Sequence, residues 1–257
     1  MRLLILSDVH ANLEALEACL AAAPAYDSVT NLGDVVGYNA SPNEVCDIIR
    51  EMNCPVVRGN HDRACSGLSD LSEFNLVAAM SARWTQMTLR PEHQDWLRRL
   101  PEGPLRPETV PDIEFVHGSP RHEDEYVLNV PTASLDFHLP GHSDLIFFGH
   151  THLQGGFSYD LKEGKTRSFA PKYPNADQAV KAELQLEPGE RYLINPGSVG
   201  QPRDNDWRAA FAVFETNDDG PAIVTFYRVP YDVKQTQARI VSSNLPERLA
   251  TRLALGR

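Results

Sequence analysis

Five short segments of this chain combine carboxylates, imidazoles and glycines where strands are expected to end. They are Ser7-Asp8-Val9-His10, Gly33-Asp34, Gly59-Asn60-His61-Asp62, His117-Gly118 and Gly149-His150-Thr151-His152. Carboxylates, imidazoles and one amide, without thiolate, suit borderline divalent ions such as Mn, Fe, Zn, Co or Ni. Asp8, His10, Asp34, Asn60, His117, His150 and His152 are the candidate ligands. That set is too large for one tetrahedral ion and about right for two ions sharing a bridge. Glycines beside Asp34, Asn60, His117 and His150 let the backbone approach such a site closely. Each piece alone is weak, since D-x-H arises by chance and GD and GN are ordinary turn pairs. Their conjunction, each at an expected strand end, carries the metal-site reading.

The elements must bring these distant segments together, and an open α/β sheet does so at the carboxyl ends of its strands. Residues 3–6 form a continuous apolar run, as expected of a strand buried on both faces. Asn12 then caps an amphipathic helix with Leu13, Leu16 and Leu20 inward, ending before Pro24. A second strand is expected over 28–32, a helix from Ser41-Pro42 to about Met52, and a third short strand over 55–57. This alternation indicates parallel βαβ units.

Residues 70–100 have a helical pattern interrupted at Pro91, and 113–116 and 145–148 are further short apolar strands. Beyond Gly149 the texture changes to antiparallel hairpins. Residues 157–159 and 167–169 flank a KEGK turn, and 209–215 and 223–229 flank NDDG. The tail, 232–255, returns to helix, and 171–181 is expected to be the most mobile stretch. With no interdomain linker or repeat, residues 1–257 read as a single domain.

The ordered pattern D-x-H, G-D, G-N-H-[DE], H, G-H-x-H resembles the calcineurin-like metallophosphoesterase superfamily, over residues 1 to about 205. The stretches SDVHANLEAL, GDVVGYNASPNEV and NPGSVGQPRD are similar to its small bacterial phosphodiesterase-type branch. The Ser/Thr protein phosphatases continue the second motif as G-D-x-V-D-R-G, whereas this chain has Gly33-Asp34-Val35-Val36-Gly37-Tyr38. Asn39-Ala40 also stands where many relatives of the branch carry Gly-Pro.

The resemblance implies a four-layer α/β/β/α sandwich with two mixed β-sheets. It implies that Asp8, His10 and His152 hold one divalent transition-metal ion and Asn60, His117 and His150 a second, with Asp34 bridging. The ions would be Mn, Fe, Ni or Zn, and a hydroxide between them would attack phosphorus in line. His61 would then protonate the leaving group as general acid, held by the neighbouring Asp62.

Four residues are candidate substrate contacts. Asn60 belongs to the ligand set as well. Asn12 is a helix cap by sequence and, in relatives, often close to the phosphate. Arg58 is either a phosphate contact or a surface ion-pair partner. Arg203 either reaches over the site from its Gly-rich turn or is neutralised by Asp204 and Asp206. The turn Asn195-Pro196-Gly197-Ser198 reads as structural. His122 lies just after a ligand segment and is expected to border the pocket, while His93, His138 and His142 have no partner pattern and read as structural. Trp84, Trp96 and Trp207 read as packing anchors. The run Glu123-Asp124-Glu125 is expected to be a solvated acidic face that disfavours polyanions near the mouth.

The function these readings imply is hydrolysis of a phosphodiester, such as a small or cyclic nucleotide. A phosphomonoesterase, acting as a nucleotidase or protein phosphatase, is the alternative with the same site. A non-catalytic scaffold of the same fold is the alternative of another class, and such scaffolds lose a ligand or the catalytic histidine. The chain has 257 residues, 24 basic and 35 acidic, giving a net charge of −11. That balance argues against general binding to nucleic acid or to an anionic membrane. Hydrophobic residues make up 42%, enough for a sizeable core, yet no apolar run approaches bilayer length. Cys19, Cys46, Cys54 and Cys65 form no C-x-x-C pair and are expected to be reduced thiols in the cytoplasm.

Overall fold

The structure, a computed structural model, describes residues 1–72, 74–173, 178–216 and 220–257. The first part of the chain forms β1 (Arg2–Leu6), α1 (Leu13–Ala22), β2 (Ser28–Asn31), α2 (Pro42–Glu51) and α3 (Asn60–Cys65). Next come α4 (Leu76–Thr88), α5 (Pro91–Arg98), β3 (Ile113–Phe115), α6 (Val130–Phe137) and β4 (Leu145–Phe147). Strands β5 (Gly155–Asp160), β6 (Lys165–Phe169), β7 (Val180–Gln185) and β8 (Glu190–Asn195) follow. The chain closes with β9 (Ala209–Glu215), β10 (Ile223–Val229), α7 (Val233–Ser242) and α8 (Glu247–Leu253).

Two mixed five-stranded sheets result, in the orders β2-β1-β9-β10-β7 and β3-β4-β8-β5-β6. The unit β1-α1-β2 is parallel, with Leu4 opposite Val29, and β3, β4 and β8 are also parallel neighbours. The expected hairpins pair antiparallel, β5 with β6 and β9 with β10.

Alternation along the strands explains the layers. Leu3 and Ile5 of β1 face the second sheet, packing in a core with Phe115, Phe147, Ile194 and Phe226. Leu4 and Leu6 point the other way, onto Ala15, Leu16 and Cys19 of α1. On the far side, Ala133 and Phe137 of α6 cover Ile146, Phe157 and Leu193. The order of layers is therefore helix, sheet, sheet, helix, and β1 is buried on both faces as its apolar run predicts. Trp96 and Trp207 pack against the first of the two outer cores and Trp84 against the C-terminal helices, so all three are anchors.

Several elements differ from the sequence reading. Residues 55–57 form only an isolated bridge, Val56 with Asn31, because Pro55 has no N–H for a ladder. The GNHD segment is the first turn of α3, whose polar start carries no helical periodicity. Helix α6 has no counterpart in the sequence pattern, nor has β7, which alternates between part-buried and exposed positions at a sheet edge. Part of the stretch expected to be mobile, 174–177, lies outside the described residues, as do 217–219 of the NDDG turn. Among the described residues, no helix is long and apolar enough to cross a membrane.

Candidate metal centre

The loops after β1 and β2 are tied together by their backbones. The amides of Asp8, His10 and Ala11 donate to the carbonyls of Gly33, Asp34 and Val35 at 2.8–3.0 Å. A third loop is brought in at Gly33, where a Cβ would lie 2.6 Å from the amide nitrogen of Gly59. Gly33 also has φ +96°, so glycine is required there twice over. The turn Asn195-Pro196-Gly197-Ser198 is structural as expected. Asn195 donates to the Gly149 carbonyl at 2.8 Å, and Ser198 Oγ to the Asp8 carbonyl at 2.8 Å.

Backbone strain concentrates where these loops meet. Asp8, His10, Asp34, His150 and His152 all have positive φ, between 49° and 64°. That conformation costs an L-residue about 1–2 kcal/mol, and it is retained here at one cluster of side chains.

Those side chains converge in two groups. Asp8, His10, Asp34 and His152 form one, and Asp34, His117 and His150 the other, with ligand atoms in each group within 4.8 Å of one another. Nε2 of His10 and of His152 lie 3.1 Å apart, and Asp8 Oδ1 is 3.2 Å from the latter. Asp34 Oδ2 lies 3.5 Å from His10 Nε2 and 3.4 Å from His117 Nε2. Nε2 of His117 is 3.2 Å from His150 Nδ1 and 3.3 Å from Asn60 Oδ1. All seven residues expected as ligands are thus brought to one place.

The chemistry of this donor set fits divalent cations. Three of the histidines donate through Nδ1 to backbone carbonyls: His10 to Val36 at 3.1 Å, His117 to Leu32 at 2.8 Å and His152 to Gln201 at 2.5 Å. Each therefore turns Nε2 to the centre, the orientation that outer partners impose on metal-binding imidazoles. Asp8 Oδ1 is buried without a hydrogen-bond donor, as is His150 Nε2. Two buried carboxylates facing several imidazoles, with no lysine or arginine among them, present a cavity of lone pairs that cations satisfy.

Charge and burial oppose each other at these groups. Burial pushes Asp34 up, but the imidazoles of His117, His61 and His10 overcome it and hold the carboxyl well below its usual range. Burial alone pulls His117 down, yet Asp34 and Asp8 outweigh it and raise the ring to about 10. His150 follows its burial, down to about 3.

Beside the centre is a pocket of about 220 Å³ lined by Tyr38, Asn60, His61, Phe74, Tyr126 and His150, among others. His61 faces it, packed edge-on to His10 at 4.9 Å and against Tyr38 at 4.3 Å, and burial pushes its pKa down to about 4. Asp62 does not hold His61. Its Oδ2 accepts from the Gly59 amide at 3.0 Å and its Oδ1 from Val36 at 3.2 Å, joining the Asn60 loop to the Asp34 loop.

The expected substrate contacts divide. Asn60 and Arg203 are at the site, with Arg203 3.3 Å from the Tyr38 hydroxyl and its carboxylate neighbours taken by Arg208 and Arg228. Arg58 is instead the ion-pair partner, gripped by Glu123 at 2.9 and 3.3 Å. Asn12 is a cap with no free face. It accepts from Ala15 N at 3.2 Å and donates to Gly200 O at 2.9 Å, wholly buried.

The acidic run is not a solvated face either. Glu123 and Asp124 pair with Arg63, and Glu125 with Arg121 at 2.8 Å. Nδ1 of His122 accepts the Asp124 amide at 3.1 Å, His93 lies 3.1 Å from Asp47 and His142 2.7 Å from Glu114. Sequence reasoning missed Tyr38, Phe74 and Tyr126, the aromatic walls of the pocket. Tyr126 stacks on His150 at 3.8 Å, and nothing in its own motif signals it.

Comparison with known proteins agrees with this geometry. Residues 1–219 match the calcineurin-like phosphoesterase superfamily domain. The chain belongs to that superfamily. An uncharacterized protein of Methanocaldococcus jannaschii, MJ0912, is 36% identical, with 98% of this chain and 97% of that protein covered. The crystal structure of a metallophosphoesterase from Sphaerobacter thermophilus is similar along the full length of both chains, at 42% identity and TM-score 0.83. The hypothetical protein PH1004 of Pyrococcus horikoshii shares the fold at 20% identity and TM-score 0.77, covering 100% of this chain and 98% of that one. The two mixed sheets are those of the superfamily, whose buried Asp/His cluster makes this chain a metal-dependent phosphoesterase.

Proposed function

We propose that this phosphoesterase uses two divalent transition-metal ions and prefers phosphodiesters. The observation that carries the two-ion reading is Asp34, whose carboxylate belongs to both ligand groups at once. Asp8, His10 and His152 would hold one ion, and Asn60, His117 and His150 the other. Bound there, such ions would polarise phosphoryl oxygens and make water acidic enough to act as a nucleophile near neutral pH.

The chain's own residues complete the chemistry. His61 stands against the pocket, where it protonates the departing alkoxide. Its imidazole is neutral at pH 7 in the free protein, and an anionic ester beside it favours the protonated form. Asp62 acts one step away, by fixing the two loops that carry Asn60 and Asp34. Tyr38, Phe74 and Tyr126 exclude water and receive the second ester group.

The diester preference is supported by the charge around the pocket. Arg63 and Asp124, both on its wall, neutralise each other, and Arg58 is held by Glu123. With Arg203 as an unpaired cation at the site, that environment matches the single charge of a diester more closely than the double charge of a monoester. Metal-stripped protein, resupplied separately with Mn, Ni, Fe and Zn, should cleave bis-p-nitrophenyl phosphate faster than p-nitrophenyl phosphate. Faster monoester cleavage would overturn the preference. No cleavage of either, with metal bound, would overturn the proposal as a whole.

A further inference from the structure

A second cavity, of about 850 Å³, opens beside Tyr38. Tyr38 and Asn75 line both spaces, so the two are neighbours. Its far wall is α8 and the chain end, through Arg248, Thr251, Arg252, Leu255 and Arg257. The apolar side is Leu76, Val77 and Leu255, with Leu76 75% exposed.

In a chain of net charge −11, this wall and its Tyr38 edge gather cations without a side-chain carboxylate partner. Among the described residues, neither Arg203, Arg248 nor Arg252 forms an ion pair, whereas Arg63, Arg208 and Arg228 are all paired. The guanidinium carbons of Arg203 and Arg252 lie 5.7 and 5.8 Å from the centroid of the same ring, that of Tyr38. Nε of Arg203 is buried with no hydrogen-bond partner. Arg252 Nε donates to the main-chain oxygen of Arg257, the last residue, and Arg257 Nε to Asn205 Oδ1 at 3.2 Å. Burial and then Arg203 press the Arg252 guanidinium below its ordinary value, Arg248 adds to them, and Tyr38 opposes them. Like charges crowded together raise the energy of the folded chain, and an added anion lowers it.

We infer that the groove between Tyr38 and α8 is a second anion site, and that the substrate carries a further phosphate beyond the scissile one. The inference rests on the phosphoesterase reading and adds the substrate class. A nucleoside-sized body laid against Leu76 and Leu255 places one phosphate at the metal centre and the other at Arg248 and Arg252. The metal centre takes the ester carrying one charge, and the groove takes the group carrying two.

The test compares two chromogenic diesters with the same scissile bond and the same leaving group. They are thymidine 5′-(p-nitrophenyl phosphate) and its 3′-phosphorylated counterpart, given to the metal-loaded full-length protein. One charge-assisted contact to the added phosphate predicts a kcat/KM at least ~10-fold higher for the second ester. Arg252→Gln should bring the ratio of the two toward one, Arg252→Lys should retain part of it, and salt should erode it. Arg248 is exposed, so Arg248→Gln keeps the measurement available if Arg252→Gln does not fold. Equal kcat/KM for the two esters in the unaltered protein would overturn the inference while leaving the hydrolase reading intact. A preference that survives both substitutions would overturn it too. Turnover of neither ester would overturn the hydrolase reading, and the inference with it.

Discussion

The carboxylate of Asp34 stands 3.4 Å from Nε2 of His117, with both side chains withdrawn from solvent. This pairing makes metal uptake a proton-releasing event. With its pKa raised to about 10, His117 is protonated at neutral pH and must lose that proton before Nε2 can bind an ion. Lower pH therefore weakens binding and higher pH strengthens it, by about tenfold per unit between pH 6 and 8. Titration calorimetry with Mn in buffers of different ionisation enthalpy should show about one proton released at this histidine. An affinity indifferent to pH would contradict the pairing.

His61 has a different signature from the ligands. His61→Ala should keep the metals and lose about 10²-fold or more in turnover of an alkyl phosphodiester. The loss should be smaller with p-nitrophenolate as the leaving group, because that anion departs without a proton. Equal losses on both substrates, at unchanged metal content, would remove the general-acid role.

Asp62 joins two loops through the amides of Gly59 and Val36. Asp62→Ala leaves both buried donors without an acceptor, at a cost of about 1–3 kcal/mol each. Urea unfolding should show that loss, and metal affinity should fall with it because Asn60 and Asp34 lose their common support. Asp62→Asn, which keeps one acceptor oxygen, should lie between. Unaltered stability and affinity in Asp62→Ala would show that the loops need no such tie.

The thiols should be inert in the native protein. Burial raises Cys19, Cys46 and Cys65 well out of the reactive range and pushes Cys54 up to about 11. The thiolate is the reactive form, so at pH 8 a disulfide reagent should react slowly until the chain is unfolded, with part-exposed Cys54 first. Rapid reaction of Cys46 or Cys65 would contradict the packing of α2 and α3.

The metal centre was legible in the sequence because its residues are of restricted type and sit beside glycines at strand ends. Asp8, Asp34 and His117 could be placed from the short apolar runs preceding them. The roles of neighbours were not legible. Asp62 follows His61 in the chain, yet the first turn of α3 aims its carboxylate back at Gly59. Arg58 adjoins a ligand loop, but its partner, Glu123, comes from a segment 65 residues away. Asn12 was readable as a cap, whereas the Gly200 carbonyl that takes its amide belongs to a distant turn. Tyr38, Phe74, Tyr126 and Arg252 meet only after folding, and no local pattern of charge or periodicity marks any of them. The two-sheet core was readable from alternation in β1, while α3 and α6 were not, being short and without an apolar stripe of useful length.

Two ions that share the Asp34 carboxylate would be lost together when that side chain is removed. Metal content after saturation with Mn and removal of free ions, measured on the unaltered chain and on Asp34→Ala, tests it most directly. Two ions per chain are expected in the first and loss of the pair in the second, with the fold retained. One ion per chain in the unaltered protein, or two still held by Asp34→Ala, would contradict it.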